Sequence, residues 1–149
     1  MPDIDDTLYA PSFDIKVDGT SLTTDLQAAI SRVRVDLSIE KADWFSFTLE
    51  NPSDIDLSSL ELGKSVEIKF GYVDDLTTLF KGLITSMTDD FSQDGHYQII
   101  VEGMDKSFKM MKGVKTKSYL DMKHSDIVSQ LASNCGLTAE VENTSVTYE

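Results

Sequence analysis

The chain has 149 residues, 40% of them hydrophobic and 9% aromatic, which is enough apolar material for one domain with its own core. Its 26 acidic residues outnumber its 13 basic residues, and a net charge of −13 repels the phosphate backbone of nucleic acids, so we expect no specific nucleic-acid binding. No apolar run approaches the roughly 20 residues that span a bilayer, so we expect no membrane insertion. The single cysteine, Cys135, excludes an internal disulfide and is interpreted as a buried structural thiol.

Alternation of apolar and polar residues predicts β-strands through the first half of the chain. A loose arm, residues 1–11, is followed by a strand at residues 13–17 and a turn at residues 18–21. Residues 30–40 and 44–50 predict the next two strands, and Pro52 ends the second because proline cannot donate to a ladder. The inward-facing residues of these two strands are predicted to be Val33, Val35, Leu37, Ile39, Phe45, Phe47 and Leu49.

A wide hairpin forms the centre of the predicted sheet. Residues 62–72 alternate with Val66, Ile68 and Phe70 on one face, and Gly71 is expected to end the strand or open a bulge. Residues 79–84 predict the second strand of the hairpin, in which Gly82 leaves room for a close backbone approach.

The sheet is completed by an extension of the second hairpin strand and one further strand. Residues 86–91 extend the hairpin, residues 92–95 predict a tight turn, and residues 96–103 predict the last strand. About six strands with short links and no intervening helix favour a mainly β fold (α+β overall): an antiparallel β-barrel, or a sandwich, followed by a short helix and the start of an α/β region. We assign residues 1–104 to this barrel domain.

The pattern changes after Gly103, and we assign residues 105–149 to a helical connection and the start of a second, incomplete α/β domain. Met104, Phe108 and Met111 predict one core-filling face of a short helix that Asp105 caps. Lysines concentrate in this part of the chain, which predicts either a solvated face or a surface that meets the acidic face of a neighbouring subunit. They are Lys106, Lys109, Lys112, Lys115, Lys117 and Lys123.

A second helix is predicted over residues 125–135, and Gly136 follows it. Ser125 is the expected N-cap, and Ile127, Val128, Leu131 and Cys135 form the expected buried stripe. Residues 137–141 predict the start of a strand. Because one helix and one strand cannot close a core, we expect the chain to be the front part of a longer protein or to need a partner.

No constellation of residues that would carry catalysis or bind a cofactor is found. His96 and His124 each lack a second histidine or cysteine at ligand spacing, so no metal site is predicted. The adjacent pairs Asp74-Asp75 and Asp89-Asp90 point to opposite faces of a strand and are not natural dyads. We therefore predict no catalytic, cofactor-binding or metal-binding residues, and no enzymatic activity.

Several short motifs follow one another along the chain; they are Tyr9 to Phe13, Ala42 to Leu49, Leu62 to Ile68 with Gly71-Tyr72, Phe80 to Ile84, and Val101 to Asp105. Their order resembles the N-terminal part of the phage late-control protein D family, the hub proteins of contractile phage tails and related injection machines. Ser125 to Val128 with Gly136-Leu137 also fits the helix that follows the first barrel there.

This resemblance implies a structural role in the tail or baseplate of a virion or a phage-like particle, made in the bacterial cytoplasm. In that family three subunits, each with two tube-forming barrels, build a ring that joins the tail tube to the central spike. Self-association and contacts with tube and spike proteins are therefore expected. An acidic barrel could then supply a non-adhesive wall for passing DNA or effectors.

Two alternatives stay open. A tail tube or tube-capping protein with the same barrel would form a hexamer rather than a trimer. A cell-wall glycan-binding module is the second, because the helix from Ser125 to Cys135 with Gly136-Leu137 faintly resembles half of a LysM repeat.

Overall fold

The computed structural model describes residues 10–73, 75–92, 95–114 and 116–148, without the side chain of Tyr148. The chain divides into two compact units, Met1–Asp105 (unit 1) and Lys106–Glu149 (unit 2). Most of the predicted amino-terminal arm, Asp74 and the middle of the predicted turn at residues 92–95 lie outside the described residues.

Unit 1 is built on one antiparallel sheet of seven strands, which confirms the mainly β fold. The order across the sheet is β2-β1-β5-β6-β7-β4-β3. Within the described residues this ladder does not close, so the expected barrel is an open sheet with β3 at one edge and β2 at the other. The strands are β1 Pro11–Val17, β2 Thr20–Ser21, β3 Ile30–Asp36, β4 Trp44–Glu50, β5 Ser65–Tyr72, β6 Asp75–Phe91 and β7 Tyr97–Met104.

The long strand β6 folds the sheet over on itself. Its first part, up to Leu83, pairs with β5, and its second part, from Leu83 to Phe91, pairs with β7. The register shifts twice, and β6 holds the extra residue each time: Leu79 opposite β5 and Thr85 opposite β7, so neither bulge is at Gly71. Bulges bend a strand and increase its twist, which lets one sheet enclose its own core.

One hydrophobic core joins the two halves of the sheet. Phe45 of β4 lies 5.0 Å from Phe80 of β6 between ring centroids, and stacks on Phe47 at 6.0 Å. A short helix between β2 and β3, α1 (Thr24–Ala29), adds the fully buried Leu26. The predicted inward residues Phe45, Phe47 and Leu49 are confirmed. The other buried members are Ile15, Val17, Leu22, Leu60, Val66, Ile68, Ile84, Ile99 and Val101.

The predicted strand over residues 30–40 is too long. Strand β3 ends at Asp36, and the following backbone groups bond to nearby side chains: Ser38 N donates to Asp43 Oδ1 at 2.7 Å, and Glu40 N donates to Ser38 Oγ at 3.3 Å. Such local bonds compete with ladder formation. Leu37 and Ile39, expected in the core, are therefore exposed at the tip of the β3–β4 connection.

Unit 2 holds a 3₁₀ helix (Lys106–Met111), the strand β8 (Met122–Lys123), the helix α2 (His124–Asn134) and the strand β9 (Thr147–Tyr148), which pairs antiparallel with β8. The expected methionine face does not form, because Met104 belongs to β7 and Met111 is exposed. The strand predicted at residues 137–141 has no regular structure.

The helix α2 differs from its prediction at both its cap and its buried face. It begins at His124, so Ser125 lies inside the first turn, buried, where its hydroxyl donates to Asn143 Oδ1 at 3.3 Å. Val128 and Leu131 of the predicted stripe are exposed, whereas Ala132 is buried.

Gly103 of β7 is expected to be irreplaceable, because a Cβ there would meet the Leu83 carbonyl oxygen and the Phe45 ring. Overpacking of this kind costs about 1–3 kcal/mol, so Gly103→Ala should lower the free energy of unfolding by at least that amount in denaturant titrations. Thr77→Ala, on an exposed position of β6, is the control and should change it by less than about 0.5 kcal/mol. Equal stability of Gly103→Ala and wild type would contradict this packing.

Asp18 joins the β1–β2 turn to β5, since its Oδ1 accepts from both Ser65 N and Ser65 Oγ at 2.9 Å. These bonds, with a smaller effect of Lys64, lower the pKa of Asp18 below its usual value of 3.8. The stabilisation by its carboxylate is therefore full above the ordinary pKa and is lost as the pH falls through the lowered one. The difference in unfolding free energy between wild type and Asp18→Asn should shrink below about pH 4. In an NMR titration, Ser65→Ala should move the Asp18 midpoint back up; an unchanged midpoint would contradict the assignment.

Candidate assembly surface

The residues with catalytic or metal-binding potential are scattered. In unit 1, His96 is exposed in the β6–β7 turn, and in unit 2 His124 opens α2. Asp89 accepts a hydrogen bond of 2.8 Å from the Tyr97 hydroxyl, and this bond raises the pKa of Tyr97. Within the described part of the chain, no three histidine, cysteine or acidic residues lie close enough to hold a metal ion.

The edge strands of unit 1 present backbone groups for pairing. Strand β3 is paired with β4 on one side, and in the described residues no strand pairs with its other side. At the opposite edge, among the described residues, β2 pairs with Lys16 and Val17 of β1, and Leu22 N donates to Ile15 O at 3.0 Å. An uncovered edge offers a row of donors and acceptors to another chain.

The exposed face near β3 is polar. The Arg34 guanidinium lies 5.4 Å from the centroid of the Trp44 ring and 3.6 Å from Asp36 Oδ2. Its positive charge is thus held over an aromatic ring at the margin of the sheet. This edge combines backbone groups with a fixed cation, a combination that suits contact with a second polypeptide.

A polar cluster on β5 and β6 is centred on Glu67. The Thr78 hydroxyl donates to Glu67 Oε1, Lys69 Nζ lies 3.8 Å away and Lys81 Nζ 4.0 Å away. The hydroxyl bond and the lysines lower the pKa of Glu67. The cluster is an ordinary solvated face of the sheet.

Two exposed apolar features of unit 1 are not anticipated by the sequence patterns. Leu37 is 57% exposed and Ile39 is fully exposed at the tip of the β3–β4 connection. At the end of β6, Phe91 is 73% exposed while its ring stacks on Tyr97 at 4.5 Å. The alternation that predicts a strand continues through Leu37 and Ile39, so it gives no sign that these two side chains face solvent.

Charge is divided unequally between the units. Unit 1 contains 7 basic and 21 acidic residues, a net charge of −14, whereas unit 2 contains 6 basic and 5 acidic residues, a net charge of +1. Unit 2 also holds a groove of about 850 Å³ whose lining combines lysines and apolar side chains. The lining residues are Lys109, Met110, Lys112, Gly113, Val114, Thr116, Lys117, Tyr119, Leu131, Asn134 and Cys135.

The sequence of residues 8–149 matches the profile of one protein family, the Alg8 N-terminal domain. The chain belongs to this family. No curated protein matches the chain in sequence.

Two solved structures share the fold of this family member. One is the tail protein from Neisseria meningitidis MC58, with a TM-score of 0.60 and 21% identity over 85% of this chain and 34% of that one. The other is the 43 kDa tail protein of prophage MuSo2 from Shewanella oneidensis, with a TM-score of 0.60 and 13% identity over 85% of this chain and 38% of that one. The chain thus spans little more than a third of either protein. None of the helices among the described residues is long and apolar enough to cross a membrane.

The exposed tip gives a direct test of this surface. Ile39→Asp should change the free energy of unfolding by less than about 0.5 kcal/mol, because the side chain has no buried contacts to lose. Leu49→Ala, a change of an aliphatic residue in the strand β4 that follows this connection, should cost about 2–5 kcal/mol because Leu49 is fully buried. Chemical denaturation measures both, and a large loss for Ile39→Asp would place this tip in the core.

Proposed function

We propose that this chain is a structural subunit of a contractile phage tail or of a phage-tail-like injection machine. The observation that carries the proposal is the likeness of its fold, over 85% of the chain, to two proteins described as tail proteins. The motifs that resemble the late-control protein D family give independent support, since they occur in the same order along β1, β4, β5, β6 and β7. The corresponding location is the tail or baseplate of the particle.

Within such a machine, the role we propose is that of the hub, which forms a ring between the tail tube and the central spike. A ring of identical subunits needs contacts that repeat from one subunit to the next. The edge at β3 and the part of β1 that no described strand covers are different surfaces of the same sheet. Pairing one with the other is a head-to-tail contact, and such contacts close into rings when the rotation permits.

The acidic charge suits a conduit. Unit 1 carries −14, so a ring of such units would repel a passing polyanion rather than hold it. We therefore propose that unit 1 lines or flanks the channel and that its work is structural.

A tail tube or tube-capping protein is the second candidate, because the printed descriptions of both fold relatives name a tail protein without naming its position in the tail. We do not propose glycan binding. The motif that it would require has two helices between its strands, and residues 135–146 contain no second helix between α2 and β9.

The position of the chain in the particle separates the two candidates. Antibodies against this chain, bound to purified particles and located by electron microscopy, should label a single site at the junction of tube and spike. Labelling along the whole tube would support the tube protein instead, and absence of the chain from particles would overturn both. The purified protein should also self-associate, to a trimer for a hub or a hexamer for a tube protein; a stable monomer at high concentration would count against a ring.

A further inference from the structure

The groove of unit 2 has the size of a ligand site. Its volume of about 850 Å³ falls within the range of about 300–1,000 Å³ that is usual for binding clefts. Its lining comes from the end of the 3₁₀ helix, from residues 112–114 and 116–119 after it, and from the end of α2 with Leu131, Asn134 and Cys135. All of its lining residues belong to unit 2, so the cleft is a property of that unit alone.

The positive charges of the groove have no anionic partner in the described residues. Lys109, Lys112 and Lys117 line it, and none of them lies within 4.0 Å of a described carboxylate. Two of these lysines contact aromatic rings instead: Lys112 Nζ is 4.8 Å from the Phe108 centroid and Lys117 Nζ is 5.0 Å from the Tyr119 centroid. These contacts hold the ammonium groups beside apolar surface.

The floor of the groove is apolar and solvent-exposed. Met110 is 48% exposed and Leu131 is 41% exposed, and Val114 is open to solvent as well. A complementary occupant therefore carries carboxylates for the lysines and aliphatic or aromatic side chains for the floor. An acidic peptide that also carries large apolar side chains has this composition.

The chain itself contains such a segment. Residues 3–9 hold three carboxylates and three large apolar side chains; they are Asp3, Ile4, Asp5, Asp6, Thr7, Leu8 and Tyr9. Other acidic pairs, such as Asp89-Asp90, lie in strands whose backbone is already paired, so they cannot enter a groove as a free segment. The sequence predicts a loose arm for residues 1–11, which is the form that a groove can accept.

We propose that the groove of unit 2 binds residues 3–9 of a second copy of this chain. The three lysines pair with Asp3, Asp5 and Asp6, and the apolar side chains of the segment cover Met110, Val114 and Leu131. The proposal rests on the proposed ring of identical subunits, in which each copy gives its arm to the next. It adds a second head-to-tail contact to the pairing of sheet edges.

Disulfide trapping tests this contact, because Cys135 already lines the groove and is the only cysteine. In the full chain, Thr7→Cys adds a second thiol while keeping all three aspartates. Diamide oxidises the two thiols to a disulfide by accepting two electrons and two protons. We expect covalent dimers and higher species on a non-reducing gel, and their loss when Cys135→Ser is added.

Matched variants distinguish binding from collision. Ser53→Cys places the new thiol on an exposed turn of unit 1 and should cross-link far more slowly. Added to Thr7→Cys, Lys109→Glu should slow the cross-linking reaction. The triple change of Lys109, Lys112 and Lys117 to Glu should slow it by about tenfold, because charge repulsion replaces attraction. Lys106→Glu, an equal charge change in the same 3₁₀ helix but outside the lining, should leave the rate near that of Thr7→Cys alone.

Three results would overturn the proposal. The first is a disulfide within one chain, recognised by a rate of formation that does not fall when the protein is diluted. The second is no disulfide with Thr7→Cys. The third is an equal rate of cross-linking for Thr7→Cys and Ser53→Cys. The outcome is independent of the particle experiment: trapped dimers with no labelling of tails would retain the groove contact and reject the hub, whereas labelled tails without trapped dimers would do the reverse.

Discussion

The structure of unit 1 depends on one strand that belongs to two parts of the sheet. The 17 residues of β6 pair first with β5 and then with β7, and the register shift at Ile84/Ser86 lies where the pairing changes. Because a continuous backbone crosses this point, the residues of β1 and β5 must face those of β4 and β7 across a single core. Breaking the continuity of β6 would separate the two halves, and neither would then bury its apolar face.

The close approach of backbones around β6 makes this fold specific as well as compact. At Gly82 a Cβ would meet the Met104 carbonyl oxygen and the Phe80 ring, and at Gly103 it would meet the Leu83 carbonyl oxygen and the Phe45 ring. Each glycine therefore leaves the space that one core phenylalanine fills, and the two rings lie 5.0 Å apart. The four residues act as one packing unit, so the substitution of any one of them is felt at the others.

The strands were predictable where side-chain burial alone decides structure, as at Phe45, Phe47 and Leu49, whose alternation matches the pleat. The strand prediction was wrong where polar side chains accept hydrogen bonds from the backbone. The side chains of Asp43 and Ser38 end β3 early in this way. Leu37 and Ile39 are therefore exposed. Unit 2 has little regular secondary structure, so the periodicity of apolar residues could predict little of its fold. The lysine run indicated charge, but the groove arises from segments brought together in space, so no spacing along the chain could reveal it.

The charge division sets a limit on how copies of this chain can meet. When two copies of unit 1 approach side by side, each carries a net charge of −14. At physiological salt the repulsion between them reaches about 8 Å beyond the surface. Backbone pairing at an edge acts at about 3 Å, well inside that distance, so it needs a counter-charge to bring the edges together. Residues 106–117 provide five lysines and no acid. A head-to-tail arrangement sets this positive segment against an acidic neighbour, whereas a two-fold dimer through unit 1 would not. The division of charge between the units thus favours the proposed head-to-tail ring over a symmetric pair.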